Sequence, residues 1–583
     1  VTHAVLAFKA PSQWLRRGSA MSAMSDARLW EGEARGPWRR STTLRRHLRV
    51  VVAGALLLSC LLHTSRFASG LWSVCSVRAA VAAKPKGRGG WNGNQRSQAK
   101  ADRTPPSPFP CAQWGCRCGE QRDDYPFNSS RDFHSRHGSV RALAQWRRRE
   151  QESPPRVYKA PSPCGYRTRG KLAVGPAAGK APAGAAVVGL FRKGSWQVVP
   201  SSECAVNHPA LAAAIDDFQK VMDGLRGVVH PWDHSIPATR LVRKPALRYV
   251  EMTVERSTGL VQLVLVWNGG PDCRPPALFQ LIDTLWPKVA TADQPQKRWH
   301  SIWVHWREPS RKLQKAIESK DTDAWEQVRP TRSLGSAEAE VLEVLDGVPF
   351  SFGPASFQQG NLGVFELILR DMKSSLLKLL QENAGPGGRR PVRLLELCGG
   401  VGVIGLSLAH AASGWAEMGE VSLLSTDWNA HGEGPFISNA RQIFGEEGNG
   451  TGRRVPRVAF EAWSIDEALD RLARGEALDG VADVLIMDPP WRGLAQHHRE
   501  EEGGLVRGDV AAKRIRGCAG LRGIIYMSCG PESFMQDADR LTGRDPSAHG
   551  EGWGPVFKLV DLKCYDMFPF TDHIETVGIF IRC

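Results

Sequence analysis

The sequence predicts an α/β domain at the C-terminal end, preceded by a smaller, mostly antiparallel β (α+β) domain and a disordered leader. Three observations predict this division of the 583 residues. The leader is basic and poor in acids, residues 160–305 alternate apolar and polar side chains as half-buried strands do, and short apolar runs alternate with helical stretches from about residue 345. We therefore expect three parts, comprising residues 1–105, 106–345 and 346–583.

Charge is distributed unevenly along the chain. The formal net charge is +16, but the leader carries +14, residues 106–200 carry +10, and residues 201–583 carry −8. A basic excess is typical of proteins that bind nucleic acids. The segment 106–200 is the better candidate for phosphate contacts, and within it we expect Arg167, Arg169 and Lys171 to bind RNA. The basic run at residues 147–149 is equally well explained as a solvated helix face.

The leader resembles a targeting segment. Arginines precede an apolar run, Val50–Leu62, which is too short to span a bilayer and is typical of a signal-peptide core. A basic, glycine-rich stretch follows at residues 84–107. This combination favours a two-part organelle address, with a plastid ahead of a mitochondrion, and no stable membrane association of the mature form. The alternative is a cytoplasmic protein whose first residues are a disordered tail.

A glycine turn between a strand and a helix predicts a cofactor site. In "PVRLLELCGGVGVIGLSLAH", residues 391–410, Gly400 and Gly402 let the backbone turn tightly against a ligand, a pattern that dinucleotide-binding folds share. The next predicted strand ends in Asp427, 31 residues after Glu396, where an acid suits a pair of ribose hydroxyls. Glu396, at the end of the first strand, is typical of S-adenosylmethionine (SAM) sites rather than nicotinamide sites. We expect a Rossmann-like SAM-dependent methyltransferase domain.

The stretch "VADVLIMDPPWRGL", residues 481–494, fits two chemistries. Some methyltransferases hold an exocyclic amine with the acid of such a loop and stack the base on its aromatic residue, whereas others combine the loop with a cysteine that attacks a pyrimidine. In the adenine-amine class the loop commonly precedes the cofactor motif. Here Asp488 follows Glu396 by 92 residues, so the motif order favours the cysteine chemistry.

Five ordered motifs resemble those of the RNA uracil-5 methyltransferases, the class I SAM-dependent family of the bacterial tRNA and rRNA 5-methyluridine enzymes. The resemblance covers about residues 160–583, and upstream of the motifs it includes the family's central RNA-binding domain. The motifs are Phe357-Gln358-Gln359-Gly360-Asn361, Glu396-Leu397-Cys398-Gly399-Gly400, Asp488-Pro489-Pro490-Trp491-Arg492-Gly493, Ser528-Cys529-Gly530-Pro531 and the segment from Asp566 to Glu575.

The resemblance implies a role for each matching residue. Uracil C5 is too poor a nucleophile to take a methyl group unaided, so a thiolate must first add to C6. Cys529 matches that nucleophile, Glu575 the general acid/base, and Asp488 the acid that orients the base. An amine methyltransferase would need no thiolate. The residues implied to bind the cofactor are Gln359, Glu396, Gly400, Gly402, Asp427 and Asp488.

Three departures from the family pattern stand inside these motifs. Trp491 replaces an arginine, Gly530 replaces an asparagine beside the nucleophile, and Gly399 stands where the family often has cysteine. None removes a catalytic atom. Together they leave a weakened or retargeted enzyme as an open alternative.

Four cysteines raise the question of a metal site. Some members of the family carry a [4Fe–4S] cluster, held by three clustered cysteines and a fourth far downstream. Cys111, Cys116, Cys118 and Cys204 match these positions, although the spacing Cys-x4-Cys-x-Cys is an awkward bite for one cubane. The sequence leaves a cluster, a zinc ion and no metal as alternatives.

These observations predict a monomeric enzyme that methylates C5 of a uridine in tRNA or rRNA. Two alternatives remain: a non-catalytic RNA-binding or folding factor with the same fold, and an adenine-amine RNA or DNA methyltransferase that uses the loop from Asp488 to Trp491.

Overall fold

The computed structural model describes the greater part of the chain after residue 129. The described residues belong to one compact unit and are 130–149, 151–179, 181–192, 194–235, 246–269, 274–286, 298–307, 324–329, 340–382, 390–415, 418–445, 455–476, 482–495 and 508–583. The predicted leader and its targeting signal lie outside them. Among these residues, none of the helices has the length and apolar character needed to cross a membrane.

The elements are numbered here in chain order within the described residues. The strands are β1 Arg156–Tyr158, β2 Arg169–Pro176, β3 Ala186–Phe191, β4 Val198–Pro200, β5 Ala246–Val254, β6 Val261–Asn268, β7 Trp299–Arg307, β8 Ala324–Arg329, β9 Val341–Leu345, β10 Val348–Phe352, β11 Val392–Leu397, β12 Val421–Thr426, β13 Arg457–Glu461, β14 Val484–Met487, β15 Gly523–Ser528, β16 Phe557–Tyr565 and β17 Glu575–Arg582. The helices are α1 Ser130–Arg136, α2 Gly138–Arg149, α3 Pro209–Gly224, α4 Pro276–Leu285, α5 Leu362–Glu382, α6 Val403–Ser413, α7 Glu433–Phe444, α8 Ile465–Ala473, α9 Gly508–Gly517 and α10 Pro531–Thr542.

An eight-stranded sheet forms the C-terminal α/β part. Its strand order is β1-β16-β17-β15-β14-β11-β12-β13, and all neighbours are parallel except β17, which is antiparallel to both β15 and β16. Every residue of β14 and β15 is buried, as expected of strands covered on both faces. Leu394 and Leu395 belong to different hydrophobic cores because successive side chains of a strand point to opposite faces. The predicted α/β fold is confirmed.

A seven-stranded sheet precedes it in the chain. Its order is β4-β3-β2-β5-β6-β7-β8, and each neighbouring pair is antiparallel except β6 and β7. Helices α3 and α4 pack against it through one apolar core that includes Leu211 and Leu281. A hairpin of β9 and β10 follows. The prediction of a smaller, mostly antiparallel α+β domain is confirmed.

Residues 130–158 differ from the predicted boundary, which assigned them to the central domain. Strand β1 extends the eight-stranded sheet by pairing with β16, with Tyr158 opposite Tyr565. In α2, Trp146 donates a hydrogen bond to Asp539 over 2.9 Å and its ring meets Phe534 edge to face. The sequence could not reveal this placement because a three-residue strand has no periodicity and its partners lie about 400 residues away.

Candidate active site

The candidate residues follow strands that lie side by side in the eight-stranded sheet. Strands β12, β11, β14 and β15 are neighbours and parallel, so their carboxyl ends meet at one edge. Ligands of open α/β sheets bind at this edge. The turns that follow these strands carry the glycine turn, Asp427, Asp488 and Cys529.

Glu396 braces the glycine turn from behind. Its side chain is 2% exposed, and its carboxyl accepts hydrogen bonds from the Ser425 hydroxyl at 2.5 Å and the Gly405 amide at 2.7 Å. Burial raises the pKa of Glu396 to about 7. A Cβ on Gly399 would overlap both the Ser425 hydroxyl and this carboxyl, so this arrangement requires glycine at position 399. Both Glu396 oxygens are therefore engaged within the protein.

Asp427 lies beside open space in front of the turn. Its carboxylate accepts hydrogen bonds from the backbone N–H groups of Gly400 at 3.1 Å and Asn429 at 2.9 Å, and burial raises the pKa of Asp427. Gly400 has a φ of +57°, and a Cβ added there would meet nothing within 4 Å. Gly402, at a φ of +84°, is the N-cap of α6 and is crowded by Phe436. An acid next to an open backbone turn fits the ribose hydroxyls of SAM.

The segment with Gln359 joins three parts of the molecule. Asn361 donates to the Met567 carbonyl at 3.0 Å and accepts from the Val364 amide in the first turn of α5 at 3.2 Å. The Thr168 amide donates to the Gly360 carbonyl at 3.2 Å, which ties the segment to the chain entering β2. Gln359 itself is buried at this junction.

Cys529 directly follows β15, and Glu575 is the first residue of its antiparallel neighbour β17. Ser528, the last residue of β15, is paired with Thr576 of β17, and the Thr576 hydroxyl donates to the Ser528 carbonyl at 2.8 Å. Cys529 and Glu575 are the next residues beyond this last pair, so both lie at the same end of the two strands. Cys529 is half-buried, and Glu575 is 3% exposed.

Cys529 also lies one residue before the N-cap of a helix. Gly530 is the N-cap of α10 and Pro531 is its first residue. The N-terminus of a helix carries a partial positive charge, which stabilises a thiolate placed just before it.

The loop with Asp488 is anchored to that same helix. Asp537 of α10 is buried and accepts from the Leu494 amide at 2.8 Å and the Tyr526 hydroxyl at 2.7 Å; burial raises its pKa. The Ser533 hydroxyl donates to the Trp491 carbonyl at 2.7 Å. The two loops that carry Asp488 and Cys529 are thus held as one unit.

The N-terminal helices support the loop that leads to Glu575, a feature that the sequence did not indicate. The Gly138 amide donates to the Asp572 carboxylate at 3.3 Å, and the Ser139 hydroxyl donates to the Asp572 carbonyl at 2.6 Å. Tyr158 stacks on Tyr565 with ring centres 5.0 Å apart. No local signal in the sequence links residues more than 400 positions apart.

Two of the three residues expected to bind RNA take part in an internal ion pair. Lys171 lies 2.6 Å from the Glu251 carboxylate, and Arg169 contacts both Glu251 and the Ser356 carbonyl. Burial acts to raise the pKa of Glu251, but Lys171 and Arg169 outweigh it and leave that pKa lowered. Arg167 is half-buried, and only its backbone has hydrogen-bond partners among the described residues.

The basic run at residues 147–149 likewise contains both an internally paired arginine and exposed ones. In α2, Arg147 is buried and pairs with Glu152 at 2.8 Å, whereas Arg148 and Arg149 are exposed. The interpretation as a solvated helix face therefore fits only the last two.

The predicted metal site cannot be assembled from the described residues. Cys111, Cys116 and Cys118 lie outside them, and Cys204 is buried against Val206 and Phe570. Within the described ranges, no three His, Cys, Asp or Glu side chains are grouped so that they could hold a metal ion. The iron–sulfur cluster stays a prediction.

The sheet order, the glycine turn after β11 and the acid after β12 define the fold of a SAM-dependent methyltransferase. Comparisons with known proteins agree with this class. Over 422 residues, the chain is 29% identical to an uncharacterized RNA methyltransferase of Protochlamydia amoebophila, an alignment that covers 72% of this chain and 86% of that protein. Over 238 residues, it is 25% identical to the 23S rRNA (uracil(747)-C(5))-methyltransferase RlmC of Halothiobacillus neapolitanus, covering 41% of this chain and 48% of that enzyme.

A solved structure, the Pyrococcus abyssi tRNA (uracil-54, C5)-methyltransferase in complex with S-adenosyl-L-homocysteine, shares 20% identity at a TM-score of 0.48, covering 76% of this chain and 82% of that one. No family model matches the chain. The sequence relatives confirm the resemblance to the RNA methyltransferases.

Proposed function

We propose that this protein methylates C5 of a uridine in RNA, with SAM as the methyl donor and Cys529 as the nucleophile. The observation that supports the proposal is that Cys529 and Glu575 directly adjoin the last pair of β15 and β17, Ser528 with Thr576, at the edge of the sheet where Asp427 and the glycine turn also lie. C5 chemistry needs a thiol and a carboxyl near one base, because one must add to the ring and the other must take a proton from it.

SAM supplies an electrophilic methyl group when bound. In this proposal Asp427 accepts hydrogen bonds from its ribose hydroxyls, the turn at Gly400 lies against it, and Gln359 holds its methionine end. Glu396 acts indirectly, because both of its oxygens hold the turn in place.

The residues at the sheet edge then act on the uracil ring. The Cys529 thiolate forms a bond to C6, and the electron pair of the C5–C6 double bond moves into an enolate over C5 and O4. Asp488 orients the base. C5 then takes the methyl group of SAM with the enolate electron pair, and the bond from that methyl group to the sulfonium sulfur breaks, which leaves S-adenosyl-L-homocysteine. Glu575 takes the C5 proton, and the electrons left at C5 re-form the double bond as the bond between the Cys529 sulfur and C6 breaks. Helix α10 stabilises the thiolate at the start and at the end of this cycle.

The alternative of an adenine-amine methyltransferase depends on Trp491, which is exposed three residues after Asp488 and would stack on the target adenine. In that reaction Cys529 and Glu575 would have no catalytic role, because the exocyclic amine attacks the methyl group directly. A non-catalytic RNA-binding factor would need neither residue. The placement of both residues therefore favours uracil C5 chemistry.

The proposed substrate is tRNA or rRNA, bound by a monomer, and nucleoside analysis tests both the reaction and the substrate. Separated tRNA and rRNA that lack 5-methyluridine would be incubated with protein and SAM, digested, and analysed by mass spectrometry. We expect 5-methyluridine in one fraction, with no product from Cys529→Ala and full product from Cys583→Ser, a control at an exposed cysteine. N6-methyladenosine, or no methylated nucleoside in either fraction, would contradict the proposal.

A further inference from the structure

Trp491 is exposed beside the proposed site although it is the largest apolar side chain of its loop. Its side chain is 52% exposed. Single exposed apolar residues are common on protein surfaces and need no explanation by themselves. Trp491 differs from them because it follows Asp488 by three residues and its backbone is fixed on both sides.

The backbone around Trp491 is fixed by contacts to α10. Its carbonyl accepts from Ser533 at 2.7 Å, and the Leu494 amide donates to buried Asp537 at 2.8 Å. Gly493, between them, has a φ of +68° and lies so close to Asp537 that a Cβ would overlap its carboxylate. Two prolines precede Trp491 and restrict φ there. The ring is therefore presented at a defined place.

A cation covers part of the ring. The Arg492 guanidinium lies 5.1 Å from the centre of the Trp491 ring, within the range of a cation–π interaction, and both residues are exposed. An aromatic plane next to a cation suits a nucleotide, whose base stacks on the ring while its phosphate meets the charge. Proteins commonly bind unpaired RNA bases in this way.

We propose that Trp491 and Arg492 form a stacking platform for an unpaired base next to the target uridine. This inference rests on the proposed function for the identity of the target, because it assigns Trp491 to a neighbouring base and Cys529 to the uracil ring. The family's arginine at position 491 would offer a charge alone. The aromatic ring thus gives this chain a preference for single-stranded RNA around its target.

A short RNA tests the platform without methyl transfer. The probe is a fluorescein-labelled 12-nucleotide RNA of adenosines with one central uridine, and a second version has abasic nucleotides on both sides of the uridine. Affinity is measured by fluorescence anisotropy without SAM. Stacking on an aromatic ring is worth about 1–3 kcal/mol per base, so Trp491→Ala should weaken binding of the first probe about 5- to 150-fold.

Two variants separate stacking from other effects. Trp491→Phe keeps an aromatic plane and should bind within about 3-fold of the wild-type protein, and Phe279→Ala, on the surface of α4, should bind like the wild type. The affinity of the wild-type protein for the abasic probe should be as low as the affinity of Trp491→Ala for the first probe. Trp491→Ala itself should bind the two probes with equal affinity.

The inference would be overturned if Trp491→Ala and the wild-type protein bound the first probe with equal affinity. It would also be overturned if the Trp491→Ala substitution lowered the affinity for both probes by the same factor. Because no methyl transfer is measured, the outcome is separable from the proposed function. If nucleoside analysis finds no 5-methyluridine while the two probes still behave as expected, the proposed reaction fails and the platform stands.

Discussion

The carbonyl of Trp491 occupies the place where a side chain on Gly530 would begin. A Cβ added to Gly530 would overlap this carbonyl and the Ser533 hydroxyl that donates to it. The backbone of residue 491, rather than its tryptophan side chain, therefore excludes a side chain at position 530. The loop carrying the tryptophan lies against the residue that follows the nucleophile, and only glycine leaves room for it.

Restoring the family's asparagine should be harmful in this chain. Gly530→Asn should displace the Trp491 loop and lower the free energy of unfolding by about 1–3 kcal/mol, because a well-packed contact must open. It should also reduce methylation more than SAM affinity, since the displaced loop carries Asp488. Denaturant unfolding, calorimetry and a methylation assay measure these three effects. Gly434→Ala, in the first turn of α7 where a Cβ would meet nothing within 4 Å, should lower none of the three and should raise stability slightly. Equal behaviour of the two variants would show that the contact between Gly530 and the Trp491 carbonyl imposes no constraint.

The buried Glu396 should make stability depend on pH. Its pKa is raised by burial to about 7, against about 4.3 in an unfolded chain, so the folded state holds a proton that the unfolded state has lost between these values. The stability contributed by this group is therefore present below about pH 4 and is lost as pH rises through about 7. At about 1.4 kcal/mol for each pKa unit, the loss is roughly 2–4 kcal/mol.

Glu396→Gln isolates this effect because the amide cannot ionise. Denaturant unfolding at pH 5 and pH 8 should show the wild-type protein losing stability relative to Glu396→Gln at the higher pH. Parallel pH profiles for the two proteins would show that the buried carboxyl does not titrate in this range.

Asp427 should recognise the ribose of SAM. Asp427→Ala should weaken SAM binding by about 1–3 kcal/mol, because a charged hydrogen-bond acceptor is lost. The variant should also bind SAM and its 2′-deoxyribose analogue equally, whereas the wild-type protein should prefer SAM. Calorimetry measures both, with Asp283→Ala in α4 as a control that should bind SAM normally. A variant that retains the preference for the ribose would remove Asp427 from the cofactor site.

Arg167 and Lys171 should respond differently to substitution. Lys171→Ala leaves buried Glu251 with fewer partners and should lower the free energy of unfolding by about 1–3 kcal/mol without altering the salt dependence of RNA binding. Arg167→Ala should leave stability nearly unchanged and reduce the slope of log affinity against log salt by about 1, as expected for one lost phosphate contact. Arg457→Ala, on exposed β13, is the control for loss of a cation. If Lys171→Ala reduced the slope of log affinity against log salt and left stability unchanged, Lys171 would contact phosphate rather than stabilise Glu251.

The sequence predicted the position of the site better than the environment of its residues. Asp427, Asp488 and Cys529 each follow an apolar run, and the ends of neighbouring parallel strands must meet at one edge, so local patterns were sufficient to bring them together. The pairing of β15 with β17, which brings Cys529 and Glu575 to the same end of the sheet, depends on a strand register that no local pattern encodes.

The remaining features depend on partners distant in sequence. Arg169 and Lys171 have the composition of a phosphate-binding site, and only Glu251, 80 residues away, shows that they are paired internally. Likewise, nothing near Glu396 in the sequence indicates that Ser425 and Gly405 engage both of its oxygens. Such contacts follow from packing, which a local pattern does not encode.

The most direct test of the central claim is covalent capture on an RNA with 5-fluorouridine at the methylated position. Fluorine at C5 cannot leave as a proton after methylation, so Cys529 should remain bonded to C6 once SAM has been consumed. The adduct should survive a denaturing gel, require SAM, map by peptide mass to Cys529, and be absent from Cys529→Ala, while Cys583→Ser should form it normally. An adduct at another residue, or methylation that persists in Cys529→Ala, would contradict the account.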